Sequence, residues 1–461
     1  MARAAVSWWQ VLPIHPPGFA ASPYQAFSAF AGNPLLISPD LLLADGLIDT
    51  IPSATSRPGS VDFEHAETWK RPLLVEAANR VQRDERFRRF RKENAYWLDD
   101  YTLFMSLKQA HDQVASFDWP DGVRHRLPPA LDEARERYAD EIDRQAALQF
   151  LFFDQWARLR SHASDRGVRL IGDVPIFVAA DSADFWARPG LFDLDETGNP
   201  RVVAGVPPDY FAETGQLWGN PQYAWEAHAA DGYDWWVRRL RSLLDIVDLV
   251  RIDHFRAFAD YWEIPASSPT AETGQWVPGP GKEFFDAVRT AIGSLPFVAE
   301  DLGEVHAIVP ELRDAVGLPG MKIGQLSFTT PPDPPSGWSE NTIGYTGTHD
   351  NDTTRGWWDT ASEVEKERAA MLAGAHHETV SADLLRAVWA SDSVIAIAPV
   401  QEVLDLGTEA RMNVPGTVGS HNWTWRLDAF PTSDQAKRLW ALNEETARLS
   451  AANTNSQSTP E

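Results

Sequence analysis

The stretch "DIVDLVRIDHF", Asp245–Phe255, packs Ile246, Val247, Leu249, Val250 and Ile252 into one short apolar run that ends on Asp253. A nearly continuous apolar run of this length predicts a strand buried on both faces, the situation of a parallel strand covered by helices. Such a strand does not normally carry an uncovered charge, because desolvating a carboxylate costs several kcal/mol unless it is paired. Asp253 is therefore either ion-paired with Arg251 or Arg256, or it points into a site.

Six more segments have the same character. They are "SWWQVLPI" (Ser7–Ile14), "VRLIGDVPIFV" (Val168–Val178), "LPFVAEDL" (Leu295–Leu302), "GMKIGQLSF" (Gly320–Phe328), "NTIGYTGTHD" (Asn341–Asp350) and "DSVIAIAPVQE" (Asp392–Glu402). Amphipathic helical stretches lie between several of them, at Tyr233–Leu244, Gly281–Ile292 and Ser362–Ala373. Strand and helix in alternation predict an α/β protein with a parallel sheet, and the seven segments point to a TIM (β/α)8 barrel; an open doubly wound sheet is the alternative. Two intervals exceed a minimal barrel. Residues 40–165 read as a helical insertion, with "RVQRDERFRRFRKENAYWLDDYTLFMSLKQAH" (Arg80–His111) as a helical stretch whose apolar side includes Tyr96, Leu103 and Leu107. Residues 180–232, rich in Pro, Gly and aromatics, read as long active-site loops, since loops of that length inside a compact domain are usually functional. The expected organisation is a single catalytic domain over residues 1–449 with a polar, disordered tail at 450–461.

Composition narrows the function. The formal net charge of −25 argues against nucleic acid and anionic membrane partners, both of which reward clustered Lys and Arg. No apolar run approaches the ~20 residues of a membrane span, and the N-terminus does not read as a signal peptide, so a cytoplasmic location is expected. The absence of cysteine excludes disulfides, thiol catalysis and thiolate metal sites. No P-loop, G-x-G-x-x-G or H-E-x-x-H is present, and His376–His377 has no partner spacing for a metal. Neither cofactor nor metal is expected.

Against this background Asp253 is one of three strand-end acids, with Glu300 after "PFVA" and Asp350 after "YTGTH". In a parallel barrel, carboxyl-terminal strand ends converge at one mouth. A lone acid there is most often an ion pair or a helix cap; three together fit glycosyl transfer, in which one carboxylate attacks the anomeric carbon and a second, protonated, serves the leaving oxygen. Arg251, two residues before Asp253, shares its strand face. Near "PPDYFAETGQLW", Tyr210, Phe211 and Trp218 offer flat faces for sugar rings and Asp209 and Gln216 offer hydroxyl partners. Asp173 reads either as a site residue or as a structural acid, and His254 as a packing residue.

These motifs resemble those of glycoside hydrolase family 77, the 4-α-glucanotransferases or amylomaltases, from about Trp8 to about Trp425. The similar segments are "SPYQAFSAFAGNPLLISPDLL" (Ser22–Leu42), "IGDVPIFVAADSADFW" (Ile171–Trp186), "GVPPDYFAETGQLWGNPQY" (Gly205–Tyr223), "RIDHFR", "AEDLG", "GTHDNDTTRGWW" and "EARMNVPGT" (Glu409–Thr417). The resemblance implies a retaining 4-α-glucanotransferase with Asp253 as nucleophile, Glu300 as acid/base and Asp350 as transition-state stabiliser. It further implies that Arg251 and His349 orient these groups, and that Tyr24, Asp173, Asp209, Trp218 and Asn220 line sugar subsites. The implied partners are α-1,4-glucans and maltooligosaccharides as donors and glucose or maltose as acceptor, for a monomer or weak homodimer. Two departures stand out. Family members begin with a further strand and helix, so a barrel lacking its first βα unit is expected, and Phe19 stands where relatives often carry tyrosine. Two other functions compete with transfer: an α-amylase-like hydrolase, and a truncated, inactive glucan-binding homologue.

Overall fold

The computed structural model describes residues 1–53, 59–208, 213–303 and 306–449. Its strands are β1 Trp8–Gln10, β2 Arg169–Val174, β3 Val202–Val206, β4 Gln216–Pro221, β5 Leu249–Ile252, β6 Asp260–Pro265, β7 Gln275–Pro278, β8 Phe297–Ala299, β9 Gly320–Ile323, β10 Thr342–Tyr345 and β11 Ile395–Ile397. Each of the seven expected segments supplies one strand of a parallel sheet ordered β1-β2-β5-β8-β9-β10-β11. β8 and β10 are buried throughout, whereas the two end strands, β1 and β11, are half-buried along their length. The sheet curls so far that Tyr345 of β10 reaches across the interior, its hydroxyl donating to Gln10 Oε1 of β1 at 2.8 Å. The result is a nearly closed seven-stranded barrel.

Helices cover the barrel for the reason the apolar spacing gives. Helix Asp234–Leu244 buries Trp236, Val237, Leu240 and Leu243, positions three or four apart that form one stripe. Helix Gly281–Ile292 does the same with Phe284, Phe285 and Val288, and each such buried Phe contributes about 2 kcal/mol of transfer free energy. Both follow the expected ranges, as does Glu363–Ala373.

Between β1 and β2, the described residues form seven α-helices, the longest being Phe63–Val81, Ala95–Ala110 and Ala139–Ser164. The stretch expected as helical over Arg80–His111 is helical with two breaks. Asp84 accepts from the Arg86 backbone N–H and so starts a new helix, Glu85–Glu93; Asn94 ends that one by donating its side-chain amide to the Phe90 carbonyl. Leu103 and Leu107 are buried as expected, while Tyr96 is only half-buried.

The 180–232 interval is not loop alone. β3 and β4 lie within it and pair with β6 and β7 in a separate antiparallel sheet, ordered β4-β3-β6-β7. Gly205 makes this possible. At the register shift between β3 and β4, a Cβ at that position would sit 2.2 Å from the Gln216 carbonyl oxygen, so only glycine admits the β4 backbone there. β4 carries Trp218 and Asn220.

Candidate active site

The carboxyl ends of β2, β5, β8 and β10 bring four acids to one mouth. Registers place Asp173 beside Arg251 and Arg251 beside Val298, so neighbouring strands present Asp173, Asp253 and Glu300 in succession. Asp253 and Glu300 each follow their strand by one residue; Asp350 lies five residues beyond β10, past the turn Thr346–His349. The expectation of matching strand-end positions therefore holds for two acids. The third is returned to the mouth by tertiary contacts.

Arg251 is the hub. Its Nη1 donates to both oxygens of Asp173 at 2.9 Å and to Asp253 Oδ1 at 2.8 Å, and its side chain is only 4% exposed. Burial opposes its charge, but Asp173 and Asp253 outweigh that and raise its pKa further. Burial likewise pushes the Asp173 carboxyl up against the pull of Arg251. The hydrogen bonds decide the state. Asp173 Oδ2 also accepts from the Tyr24 hydroxyl at 2.8 Å, so both its oxygens face donors and no place remains for a proton. Asp173 is thus an ionised partner of Arg251, and burial together with that carboxylate holds the Tyr24 phenol well above its usual pKa. Asp253 Oδ2 has no hydrogen-bond partner among the described residues.

Glu300 is held differently. Its Oε2 accepts from the His254 backbone N–H at 2.7 Å, and the residue is half-buried. Burial pushes its pKa up to about 8, with Arg251 pulling down and Asp253 pushing up. At neutral pH it carries a proton beside the ion-paired Asp253. His254 takes a left-handed backbone conformation (φ 49°), meets Trp218 edge-on at 4.8 Å and is lowered by burial to about 4, consistent with a packing role.

Asp350 is fastened from the segment after β11. Asn413 Nδ2 donates to its Oδ1 at 2.6 Å, Arg411 Nη2 to its backbone carbonyl at 2.8 Å, and Arg411 Nε to the Asn413 carbonyl at 2.7 Å. His349 stacks on Tyr24 at 5.2 Å, with Nε2 3.4 Å from Asp350 Oδ2, and Trp423 closes this group at 5.7 Å from Tyr24 and 5.8 Å from His349. Gln25 joins Tyr24's segment to β4 by donating to Asn220 Oδ1 at 2.9 Å.

Of the residues expected from sequence, Tyr24, Asp173, Asn220, Trp218, Arg251, Asp253, Glu300, His349 and Asp350 are linked by this chain of contacts; Asp209, with Tyr210 and Phe211, lies outside the described residues. Sequence reasoning does not single out Gln25, Arg411, Asn413 and Trp423. Arg411 and Asn413 lie in "EARMNVPGT", but nothing local in that segment announces that it returns to Asp350. His376 and His377 are exposed, and among the described residues no group of three or more acidic or histidine side chains is arranged to hold a metal.

The family model described as 4-alpha-glucanotransferase, glycoside hydrolase family 77, matches residues 1–432. The chain belongs to this family. Among its members, the 4-alpha-glucanotransferase of Thermus thermophilus is 46% identical over 465 residues, covering 97% of this chain and 93% of its own. That of Streptococcus pneumoniae strain TIGR4 is 43% identical over 448 residues, covering 94% and 88%. The solved amylomaltase from Streptococcus agalactiae in complex with acarbose superposes with a TM-score of 0.92 at 36% identity, over 97% of this chain and 93% of that one. The glycoside hydrolase 77 resemblance and the barrel expected from the sequence are both met, and the chain stands among enzymes of glucan transfer. No helix of the described residues is long and apolar enough to cross a membrane.

Proposed function

We propose that the chain transfers a segment of an α-1,4-glucan or maltooligosaccharide to the 4-hydroxyl of glucose, maltose or a longer glucan by double displacement with retention. The observation that carries this reading is a carboxyl, Glu300, whose burial raises its pKa to about 8, next to an arginine-paired carboxylate, Asp253, on adjacent strands of one mouth. Asp253 Oδ2 attacks the anomeric carbon, the glycosidic C1–O4 bond breaks, and Glu300 gives its proton to the departing O4. The acceptor's 4-hydroxyl then attacks C1, Glu300 takes the proton back, and the Asp253 ester is released. Retention requires the two carboxyls to work about 5–5.5 Å apart. Asp350, held by Asn413, faces the sugar and stabilises the developing positive charge, while Arg251 and His349 orient the acids. Tyr24, Trp218, Asn220 and Asp209 border the sugar subsites.

Incubation of the purified protein with maltotriose tests the reading. Transfer yields glucose together with oligomers longer than the substrate. Formation of shorter products only would replace transfer by hydrolysis, and no product from a folded protein would leave glucan binding without catalysis.

A further inference from the structure

Glu402 is a buried acid that the reaction above does not use. The residue is 3% exposed, yet among the described residues no lysine, arginine or histidine pairs with it. Arg355 and Arg411, from the segments on either side, turn to Asp405 and Asp352 instead. Burial pushes the Glu402 pKa up to about 7, hydrogen bonding to Thr354 pulls it down, and Asp405 and Asp352 push it up again. A buried acid without a cation lowers stability relative to an apolar side chain of its size, so any benefit must lie in what it holds.

Glu402 lies on the short helix Val400–Leu404, which leaves the carboxyl end of β11 on the face of the barrel that carries the acids. From that helix two neighbouring side chains reach two different segments. The Glu402 oxygens accept from the Thr354 backbone N–H at 3.0 and 3.3 Å, and Gln401 Nε2 donates to the Ala410 carbonyl at 3.1 Å. Thr354 is four residues past Asp350, and Ala410 immediately precedes Arg411, which holds the Asp350 carbonyl. The two segments also meet each other. Thr408 Oγ1 donates to Asp352 Oδ2 at 3.0 Å, and the Asn413 N–H to the His349 carbonyl at 3.1 Å. Asp350 therefore sits in a closed ring of contacts whose base is the helix after β11. Thr354, Gln401 and Glu402 are all buried, so bulk water does not replace a partner lost there. We propose that Glu402 is a positioning residue for the transfer reaction: through Thr354 it fixes the turn that presents Asp350 to the sugar. The proposal rests on the role given to Asp350 in the glucan-transfer reading.

Two substitutions test it. Glu402→Met keeps the volume and removes the acceptor, whereas Glu402→Gln keeps an acceptor oxygen of the same reach. Glu402→Met should lower kcat on maltotriose roughly tenfold to a hundredfold, the scale of a misplacement of about 1 Å near the reacting centre. Its KM should change little, and its Tm should stay close to that of wild type, because a buried acid has been exchanged for an apolar side chain. Glu402→Gln should recover most of the lost kcat. A merely structural residue would instead lose activity in step with Tm. The loss should persist when fluoride release from maltosyl fluoride is followed, since Asp350 stabilises charge on the sugar whatever the leaving group. Combined with Asn413→Ala, it should be smaller than the product of the two single losses, because both changes act through Asp350. Wild-type kcat in folded Glu402→Met would overturn the inference, as would a loss that vanishes with the fluoride or multiplies with Asn413→Ala. If Glu402→Met does not fold, Gln401→Leu, which frees the Ala410 end of the same ring, is held to the same outcomes. Disproportionation of maltotriose by the wild type keeps the two readings apart. Its absence removes the transferase reading, and its presence beside an unaffected Glu402→Met removes the positioning role alone.

Discussion

Replacing Glu300 by glutamine should make the protein more stable at alkaline pH while removing its activity. The folded carboxyl holds its proton up to about pH 8, against 4.5 for an ordinary glutamate. Between those values the native state binds more protons than the unfolded chain, so stability falls as pH rises, and the full penalty applies above about pH 8. At 1.36 kcal/mol per pH unit the whole window is worth on the order of 4–5 kcal/mol. The glutamine amide would imitate the protonated acid, its oxygen still accepting from the His254 N–H but its side chain never ionising. Wild type and variant should therefore be equally stable below about pH 4 and diverge towards pH 9. For a chain of this length the unfolding entropy is about 1 kcal/mol per degree, so the divergence is ~4 °C in Tm. Thermal scans of both proteins at one scan rate across that pH range measure it. A Tm difference that stays the same from pH 5 to pH 9 would refute the reasoning, because burial would then not be shifting this carboxyl. The same ionisation should end the alkaline limb of wild-type kcat/KM near pH 8.

Other outcomes follow from the same geometry. Glu300→Gln incubated with a maltosyl fluoride, whose leaving group needs little protonation, should accumulate a covalent adduct on a peptide containing Asp253, read by mass spectrometry; an adduct on Asp350 would exchange the roles of those two acids. Arg251→Gln leaves Asp173 and Asp253 without their shared partner in a buried setting, so unfolding in denaturant should show a loss of about 3–5 kcal/mol. Asn413→Ala removes the 2.6 Å bond to Asp350; kcat should fall about tenfold with the fold intact by circular dichroism, the equivalent of one charge-assisted hydrogen bond. Activity should survive EDTA, and loss restored by added metal would contradict the metal-independent double displacement proposed here.

The sequence by itself determined the strands, the wrapping helices and the identity of the principal acids. Burial on both faces forces apolar runs such as "DLVRI", and helices that cover a sheet must repeat their apolar side chains every three to four residues; both patterns are local and survive in one dimension. Asp253 and Glu300 were legible for the same reason, as charges stationed one residue past a buried run. Asp350 was legible as a residue but not as a position, because its place depends on Arg411 and Asn413, about 60 residues further along the chain. Tertiary structure alone decided that Arg251 serves Asp173 and Asp253 together, that Asp173 is the ionised partner of a buried arginine, and that Glu300 keeps its proton at neutral pH. It also turned part of a presumed loop region into β3 and β4, through the pairing of β3 with β6 that no short-range pattern encodes. A pattern in sequence reports which face of an element is buried. A pKa, a shared hydrogen bond or a strand partner reports what packs against that face, and this arises only when distant segments meet.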